Sequence, residues 1–513
     1  MLKIASSICD YFEVDLEKIK NLSPYLLALN LIYFFPLLVQ NIPYMDDLEW
    51  SVTGSPGHLE NGRPLGDYLS SILSFNFNFS NNSLFDSGSF LQIFSITLLT
   101  FVACIFYLRI NDKEPSLYLA MLIFSFLVNP VCLLLLSYRL SCFHGALSIS
   151  LSLLACLKLR NRPLGLFISS LFILASLCIY QPSINIFISA SFLLFLIEYK
   201  KSVKDSLILL LDNSLKLFSA ILIYKFIILS NIHHFKGYFQ QRSSIFKLDQ
   251  NFFTNIYEHG LSLLDQFLNA FSDSKIIILF SIISILAYGF QYIFFENNKR
   301  ISSFFIYIFC VSGMGFGIIG FMAFMPSVRF LPRTFIGFSI LLVFIFYAFD
   351  QSIVRWAPSL KVVVFIPLLY FTFISFSYNR IIEVQYEYQS KVVNSIIENL
   401  TNLGLKPWHT VYARGYLEYS PVGINSKSKN KLLSSLLNKS DNIGGVWYTS
   451  IFLKYSGLKA KILSWDDAKK LLKADVTCNH KALYTSQFYK ITRINNDIFI
   501  ITFPQKSCFN QIH

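Results

Sequence analysis

Charge is missing from this chain in blocks. Between residues 24 and 378, apolar stretches of about 20 residues follow one another, each long enough to cross a hydrocarbon core of about 30 Å as a helix. Inside hydrocarbon the backbone must satisfy its own hydrogen bonds, so segments of this length and composition fold as membrane helices. Composition agrees: 54% of the 513 residues are hydrophobic and 14% charged, whereas a soluble chain carries about a quarter charged residues. The spans read as 24–42, 89–108, 116–137, 143–157, 164–180, 183–198, 206–230, 276–295, 301–324, 334–349 and 361–378. The span 143–157 is short and Gln181–Pro182 blurs a boundary, so the count is roughly ten or eleven. No short apolar segment ends in a small-residue cleavage site, and the first span is expected to target the chain. The expected fold is a polytopic α-helical membrane protein.

A formal net charge of +13 raises nucleic acid or anionic lipid as partners. The basic residues sit singly in short connections between spans, which makes a poor nucleic-acid surface and a good orientation signal. With the N-terminus inside, the cytoplasmic connections carry Arg109 and Lys113; Lys158, Arg160 and Arg162; Lys200, Lys201 and Lys204; Lys299 and Arg300; Arg355 and Lys361. The opposite side holds fewer, among them Arg63, Arg139, Arg329 and Arg333. This bias places the loops 43–88 and 231–275, and everything after about residue 379, outside the cytoplasm. The chain therefore divides into a membrane domain, 1–378, and an exported C-terminal domain, 379–513.

The C-terminal domain is different material. Val392, Val393, Ile396, Ile397 and Leu400 recur at helical spacing. Ser464, three residues before Asp467, reads as an N-cap for a helix over 465–473. Ile498, Ile500 and Thr502 alternate with apolar neighbours as a final strand. These predict a small α/β domain. Seven of the nine cysteines lie in or beside apolar spans and read as small packed hydrophobes, while Cys478 and Cys508 fall in an exported domain, where a disulfide between them is expected.

The first external loop carries the chemistry. Tyr44-Met45-Asp46-Asp47-Leu48-Glu49-Trp50 puts carboxylates directly beyond a membrane helix, and Asn61-Gly62-Arg63-Pro64-Leu65-Gly66-Asp67-Tyr68 follows. Over 65–75, Leu65, Leu69, Ile72 and Leu73 share one side, as in a helix lying along the interface. A hydroxyl attacking an activated sugar must lose a proton, which a carboxylate at the membrane surface can take. A departing lipid phosphate needs Arg or Lys to meet its charge. Charged residues just outside a membrane helix are also commonly plain solvated anchors, so a lone Asp-Asp pair does not decide the matter.

Tyr44-Met45-Asp46-Asp47 followed by Gly62-Arg63-Pro64-Leu65, the external dipeptide Tyr180-Gln181, and the layout of a first loop, about eleven helices and an exported domain together resemble the bacterial and phage serotype-converting O-antigen glucosyltransferases. The resemblance covers most of the membrane region, is strongest over 40–70 and is weak in the C-terminal domain. It implies a GT-C-like glycosyltransferase of the bacterial inner membrane, with a periplasmic C-terminal domain. The donor would be an undecaprenyl phosphate-linked sugar, glucose by that resemblance, and the acceptor a sugar of the lipid-linked O-antigen. Membrane lipids would be partners and nucleic acid would not. By the same carry-over Asp46 or Asp47 is the acceptor base, Arg63 a phosphate or sugar contact, and Glu49, Tyr180, Gln181, Arg329 and Arg333 further substrate contacts. The loop 231–275, with His233, His234, Tyr238 and Arg242, would help cover the site, and the C-terminal domain would help recognise acceptor.

Other signals read more plainly. Adjacent His233 and His234 lack a third ligand at metal spacing, and interfacial solvation suits them better. No cofactor and no metal site is expected, although carboxylates near a lipid phosphate can bind a divalent cation, which leaves that participation open. Arg329 and Arg333 suit a phosphate clamp and interface anchors equally. Asp212 and Lys216, four apart in a span, are expected to neutralise one another. Gly315, Gly317 and Gly320 would permit close helix approach. The sequence carries no Walker motif, zinc-ligand cluster or G-x-S-x-G. The alternatives to a glycosyltransferase are a transporter or flippase for lipid-linked sugar, which should show internal repeats and broken helices, and an assembly or polymerase protein for surface polysaccharide.

Overall fold

The computed structural model describes residues 9–54, 57–77, 84–158, 162–232, 246–247, 249–295, 300–326, 331–415, 417–437, 446–463, 482–494 and 496–504. The chain divides into two compact units, Met1–Val39 with Ser55–Phe376, and Gln40–Gly54 with Ser377–His513.

The first unit is helical. In chain order its elements are α1 (Leu16–Gln40), then α2 (Asp46–Thr53, which belongs to the second unit), α3 (Pro64–Leu73), α4 (Phe90–Ile110), α5 (Leu117–Phe124), α6 (Pro130–Ser137), α7 (Cys142–Ala155), α8 (Arg162–Ile179), α9 (Ile184–Tyr199), α10 (Val203–Ile223), α11 (Phe252–Phe271), α12 (Lys275–Phe294), α13 (Arg300–Ile319), α14 (Phe338–Phe349) and α15 (Phe365–Asn402). Among the described residues, eight helices are long and apolar enough to cross a membrane. Their faces say the same. On α1, Leu26, Tyr33, Phe34 and Leu37 are buried while Leu27, Leu31, Phe35 and Val39 stand exposed. Apolar residues on both faces suit a helix with protein on one side and lipid on the other.

The span expected as 116–137 is two short helices, α5 and α6, separated by a buried break at residues 125–129. Pro130 cannot donate the hydrogen bond that would continue α5. Asn129 repairs the break: its Oδ1 accepts from the N–H groups of Val131 and Cys132 at 3.1 and 3.0 Å, and its Nδ2 donates to the Phe126 carbonyl at 2.8 Å and the Ser339 hydroxyl at 3.1 Å. The Tyr33 hydroxyl donates to the Asn129 carbonyl. Irregular backbone at this depth survives because protein groups satisfy it.

Of the three glycines expected to permit close approach, Gly317 and Gly320 do, whereas a Cβ on Gly315 would meet nothing within 4 Å. Gly317 faces Ser189 of α9, where a Cβ would lie 2.9 Å from the Ser189 backbone nitrogen. Gly320, at φ +54°, turns the chain beside Asn185 in a conformation that L side chains rarely adopt. One expectation fails: Asp212 pairs with Arg162, whose Nε and terminal nitrogen lie 3.1 and 2.8 Å from its two oxygens. Buried Lys216 instead donates to the Ala155 carbonyl and Asn213 Oδ1, both at 3.0 Å. Helix α8 packs against both α7 and α10, so Asp212 finds on α8 a partner better placed than Lys216 on its own next turn.

At one end of the bundle Lys18 pairs with Asp112, Arg109 with Glu13, and Lys113 with buried Asp350. The alternating direction of successive helices brings Arg162, Lys200 and Arg300 to that end as well.

In the second unit the helical repeat at Val392, Val393, Ile396 and Leu400 lies within α15, which runs on unbroken from the last span. It packs on a five-stranded sheet: β1 (Thr410–Arg414), β2 (Lys461–Ile462), β3 (Ala482–Thr485), β4 (Lys490–Ile494) and β5 (Ile498–Thr502), in the order β2-β1-β5-β4-β3. β1 is parallel to β2 and β5, and β4 is antiparallel to β5 and β3. Val411, Ala413, Ile491, Phe499 and Ile501 meet the α15 residues in one core. The expected final strand is β5. The segments α16 (Pro421–Lys429), α17 (Lys431–Leu436) and α18 (Val446–Tyr455) complete the unit. The expected helix over 465–473 and the Cys478–Cys508 pair lie outside the described residues. The seven other cysteines are buried free thiols.

Candidate functional site

The first external loop is shared between the two units. Its first part, α2, is packed into the second: Leu48 is fully buried in the core formed by α15, β1 and β5. The three carboxylates Asp46, Asp47 and Glu49 stand in the first turn of α2, where the helix dipole favours negative charge. Their environments differ. Asp47 is fully buried, and its Oδ2 accepts from the Tyr44 N–H at 3.1 Å while its own N–H donates to the Tyr44 carbonyl at 3.0 Å. Asp46 and Glu49 are half-buried. Met45, immediately before them, holds φ +48° and ψ −108°, a strained conformation for a residue with a side chain, at a cost of about 1–3 kcal/mol. Backbone strain next to an acidic turn is a common mark of a functional segment.

The remainder of the loop belongs to the helical unit. Pro64 at the first position starts α3 and Gly62, at φ +72°, supplies the turn before it. The expected helix is present: Gly66, Asp67, Ser70 and Ser71 are buried, whereas Leu65, Tyr68 and Ile72 are exposed. A helix that hides polar residues and shows apolar ones suits a position between protein and lipid.

Four of the residues singled out from sequence come together here. Arg63 Nε donates to Gln181 Oε1 at 2.7 Å, and its guanidinium lies 5.1 Å from the centre of the Tyr180 ring. The Gln181 amide donates to the carbonyls of Asn61 and Gly62 and to the Tyr224 hydroxyl, which itself donates to the Gly62 carbonyl at 2.7 Å. The Tyr180 hydroxyl donates to the Arg333 carbonyl, and the Arg333 guanidinium sits 4.2 Å from the centre of the Tyr138 ring. Next to Tyr138, nearly buried Arg139 pairs with Asp86. The cluster exists because the chain breaks between α8 and α9. Pro182 opens a short 3-10 turn, and the carbonyl of Tyr180 is taken by the hydroxyls of Ser183 and Ser148 at 2.7 and 3.1 Å. Two guanidiniums stacked on aromatic rings at one end of a bundle form an anion-competent surface.

Beneath it lies a second layer. The carboxylate of Asp67 accepts from the N–H groups of His58 and Leu59 at 2.9 and 2.7 Å. His144, in the first turn of α7, approaches the Gly66 carbonyl and the Ser70 hydroxyl, both at 3.0 Å, and its ring centre is 4.8 Å from that of His58. Burial first, then His144 and Arg63, hold the His58 imidazole well below its ordinary value, so it is neutral. None of Tyr138, Tyr224, His58 and His144 was singled out from sequence: Tyr224 read as a span residue, Tyr138 fell in the short connection after the span 116–137, and each histidine stands alone. Asp67 lay within the quoted motif without a role. Arg329, His233, His234, Tyr238 and Arg242 lie outside the described residues. Among the described residues no group of three or more His, Cys, Asp or Glu is placed to hold a metal ion.

Long apolar helices, with a short helix whose apolar face is exposed and an arginine–aromatic cluster at one end, define a multi-pass membrane protein. Residues 35–344 match the model of the glucosyl transferase GtrII family. That is more than half of the chain, and the protein belongs to this family. It is also similar to an uncharacterized 55.3 kDa protein in the gtrB 5' region of Salmonella phage P22, 25% identical over 437 residues that cover 82% of this chain and 87% of the relative. No solved structure matches the chain.

Proposed function

We propose that this glucosyl transferase moves glucose from undecaprenyl phosphate to a sugar of lipid-linked O-antigen on the periplasmic side of the bacterial inner membrane, converting serotype. The observation that carries the reading is the joining of Arg63, Tyr180, Gln181 and Arg333 into one cluster in a chain of this family. A GT-C-like architecture accords with the helical bundle. The basic end, with Arg109, Lys113, Arg162, Lys200 and Arg300, faces the cytoplasm by charge bias. That orientation puts the Arg63 cluster and the C-terminal domain outside.

The reaction is a single displacement. The acceptor hydroxyl oxygen bonds to the anomeric carbon as the bond from that carbon to the phosphate oxygen breaks. The bonding pair leaves with undecaprenyl phosphate, and the hydroxyl proton passes to a carboxylate. A β-linked donor gives an α-linked product. Half-buried Asp46 is the base, because Asp47 is buried and spends its carboxylate on the Tyr44 turn. Arg63 binds the donor phosphate, which is anionic before transfer, and Arg333 meets the further charge that develops as it leaves. Arg329 would join them, Tyr180 and Gln181 orient Arg63, and Glu49 contacts the acceptor. No cofactor is needed for this chemistry.

O-antigen mass and linkage, measured in a serotype-negative strain, test the proposal. One added hexose per repeat is expected with the wild-type protein and none with Asp46→Asn/Asp47→Asn. Full transfer by a well-inserted double variant would remove the carboxylates from the mechanism. No added mass from wild type, with donor and acceptor both verified in the strain, would favour transport of lipid-linked sugar.

A further inference from the structure

Helix α3 presents a physical problem. Its apolar face, Leu65, Tyr68 and Ile72, is exposed, and lipid would accept that face anywhere along the interface. Hydrophobic burial therefore does not decide where α3 sits against the bundle. Polar contacts on the inner face contribute to it, and those of Gly66 and Ser70 meet at His144.

The Gly66 carbonyl can only accept, so the His144 nitrogen 3.0 Å away carries the proton and Nε2–H is the tautomer. The same nitrogen lies 3.0 Å from the Ser70 hydroxyl, which donates to that carbonyl. His144 is rooted in α7, a helix of the bundle, so this contact ties α3 to it. Beside Gly66, Asp67 holds the N–H groups of His58 and Leu59. The His58 carbonyl then accepts from the N–H groups of Asn61 and Arg63, both at 3.0 Å. A Cβ on Gly66 would come within 2.9 Å of the His58 side chain, so the approach of these two strands of chain is as close as glycine allows. The links run from α7 through α3 and the turn 58–63 to the backbone of Arg63, and the contacts at Gly66, Asp67 and Ser70 are buried.

We propose that His144 is a positioning residue for the transfer reaction: through Gly66, Asp67 and His58 it sets where Arg63 stands relative to Tyr180 and Gln181. The inference rests on the reading of Arg63 as a contact for the donor phosphate. A small misplacement of such a group is enough to cost a large factor in use of the donor.

The test uses full-length protein in isolated membranes, with undecaprenyl phosphate glucose as varied donor and O-antigen lipopolysaccharide as fixed acceptor. In His144→Gln the amide nitrogen reaches the place of Nε2; in His144→Asn it falls a methylene short. H144N is expected to raise the donor KM about ten-fold with kcat within about threefold, and H144Q to stay within about twofold of wild type. In an Arg63→Ala background, H144N should add less than about twofold, because the two residues act as one unit. Gly66→Ala, which forces His58 away from α3, should show the same KM signature and carries the test if H144N fails to insert. Wild-type KM in H144N, equal losses in H144N and H144Q, or additivity with R63A would each overturn the inference while leaving Arg63 a donor contact. A wild-type KM in R63A itself would overturn the reading of Arg63, a result distinct from the other three.

Discussion

Replacing Asp67 by alanine removes the acceptor of two backbone N–H groups, those of His58 and Leu59 at 2.9 and 2.7 Å. Asp67 is 6% exposed, so water replaces its carboxylate poorly. A hydrogen bond to a charged group contributes about 1.5–3 kcal/mol, and a buried donor left without a partner costs about 1–3 kcal/mol. Taking the lower values for both bonds, the turn 58–63 loses about 3 kcal/mol relative to an unlatched state. Each 1.4 kcal/mol is tenfold, so the unlatched population rises roughly a hundredfold. The loss is local, because α3 is held separately by the contacts of Gly66 and Ser70 with His144. Amide hydrogen exchange followed by mass spectrometry on detergent-purified protein reads this directly. The N–H groups of Asn61, Gly62 and Arg63, which donate to His58 and Leu59 carbonyls, should exchange about a hundredfold faster in Asp67→Ala. Peptides from α4 and α14 should be unchanged. Asp67→Asn keeps one oxygen but sets an NH2 against the second donor, and should fall between. Wild-type protection over 57–66 in the alanine variant, or protection lost equally throughout the bundle, would refute the reasoning.

Three other outcomes are expected. An unfolded His58 takes its proton near the ordinary value of 6.5 while the folded one does not, so the unfolded chain binds more protons below that pH. Stability is therefore fully present above pH 6.5 and falls below it, by up to about 1.4 kcal/mol per pH unit; melting temperatures from pH 8 to 5 should show a shallower acid slope in His58→Asn, and equal slopes would contradict it. Gly317→Ala places a methyl against the Ser189 backbone and should cost about 1–3 kcal/mol, seen as a lower melting temperature in detergent; an unshifted melt would mean that α9 and α13 part freely. Leu48→Ala opens a cavity in the core of the C-terminal unit and should cost about 2–5 kcal/mol. Limited proteolysis should then cut that unit sooner, with glucosylation falling in parallel; unchanged resistance would show that α2 contributes nothing to its core.

The membrane helices were legible because insertion is decided segment by segment. A run of apolar residues long enough to cross the bilayer favours lipid whatever its neighbours do, and so the spans 89–108, 164–180 and 276–295 correspond to α4, α8 and α12 within a few residues. The α15 repeat and β5 were legible for the same reason, since periodicity is a local property of the chain. The motif at Gly62-Arg63-Pro64 could be noticed, and so could Tyr180-Gln181, but nothing local says that Arg63 and Gln181 touch across 118 positions of sequence. That contact, together with Tyr224 on Gly62 and Arg333 over Tyr138, exists because helices from distant parts of the chain pack at one end of a bundle. Packing also decided what local spacing got wrong. Asp212 turned to Arg162 rather than Lys216, since a guanidinium on a neighbouring helix offered two aligned bonds. The span 116–137 broke at Asn129 because its side chain, anchored on Ser339, and the Tyr33 hydroxyl were there to satisfy the opened backbone. Transfer into lipid depends on what a segment is made of, whereas the partner of a buried polar group depends on which distant residues the folded chain brings within 3 Å of it.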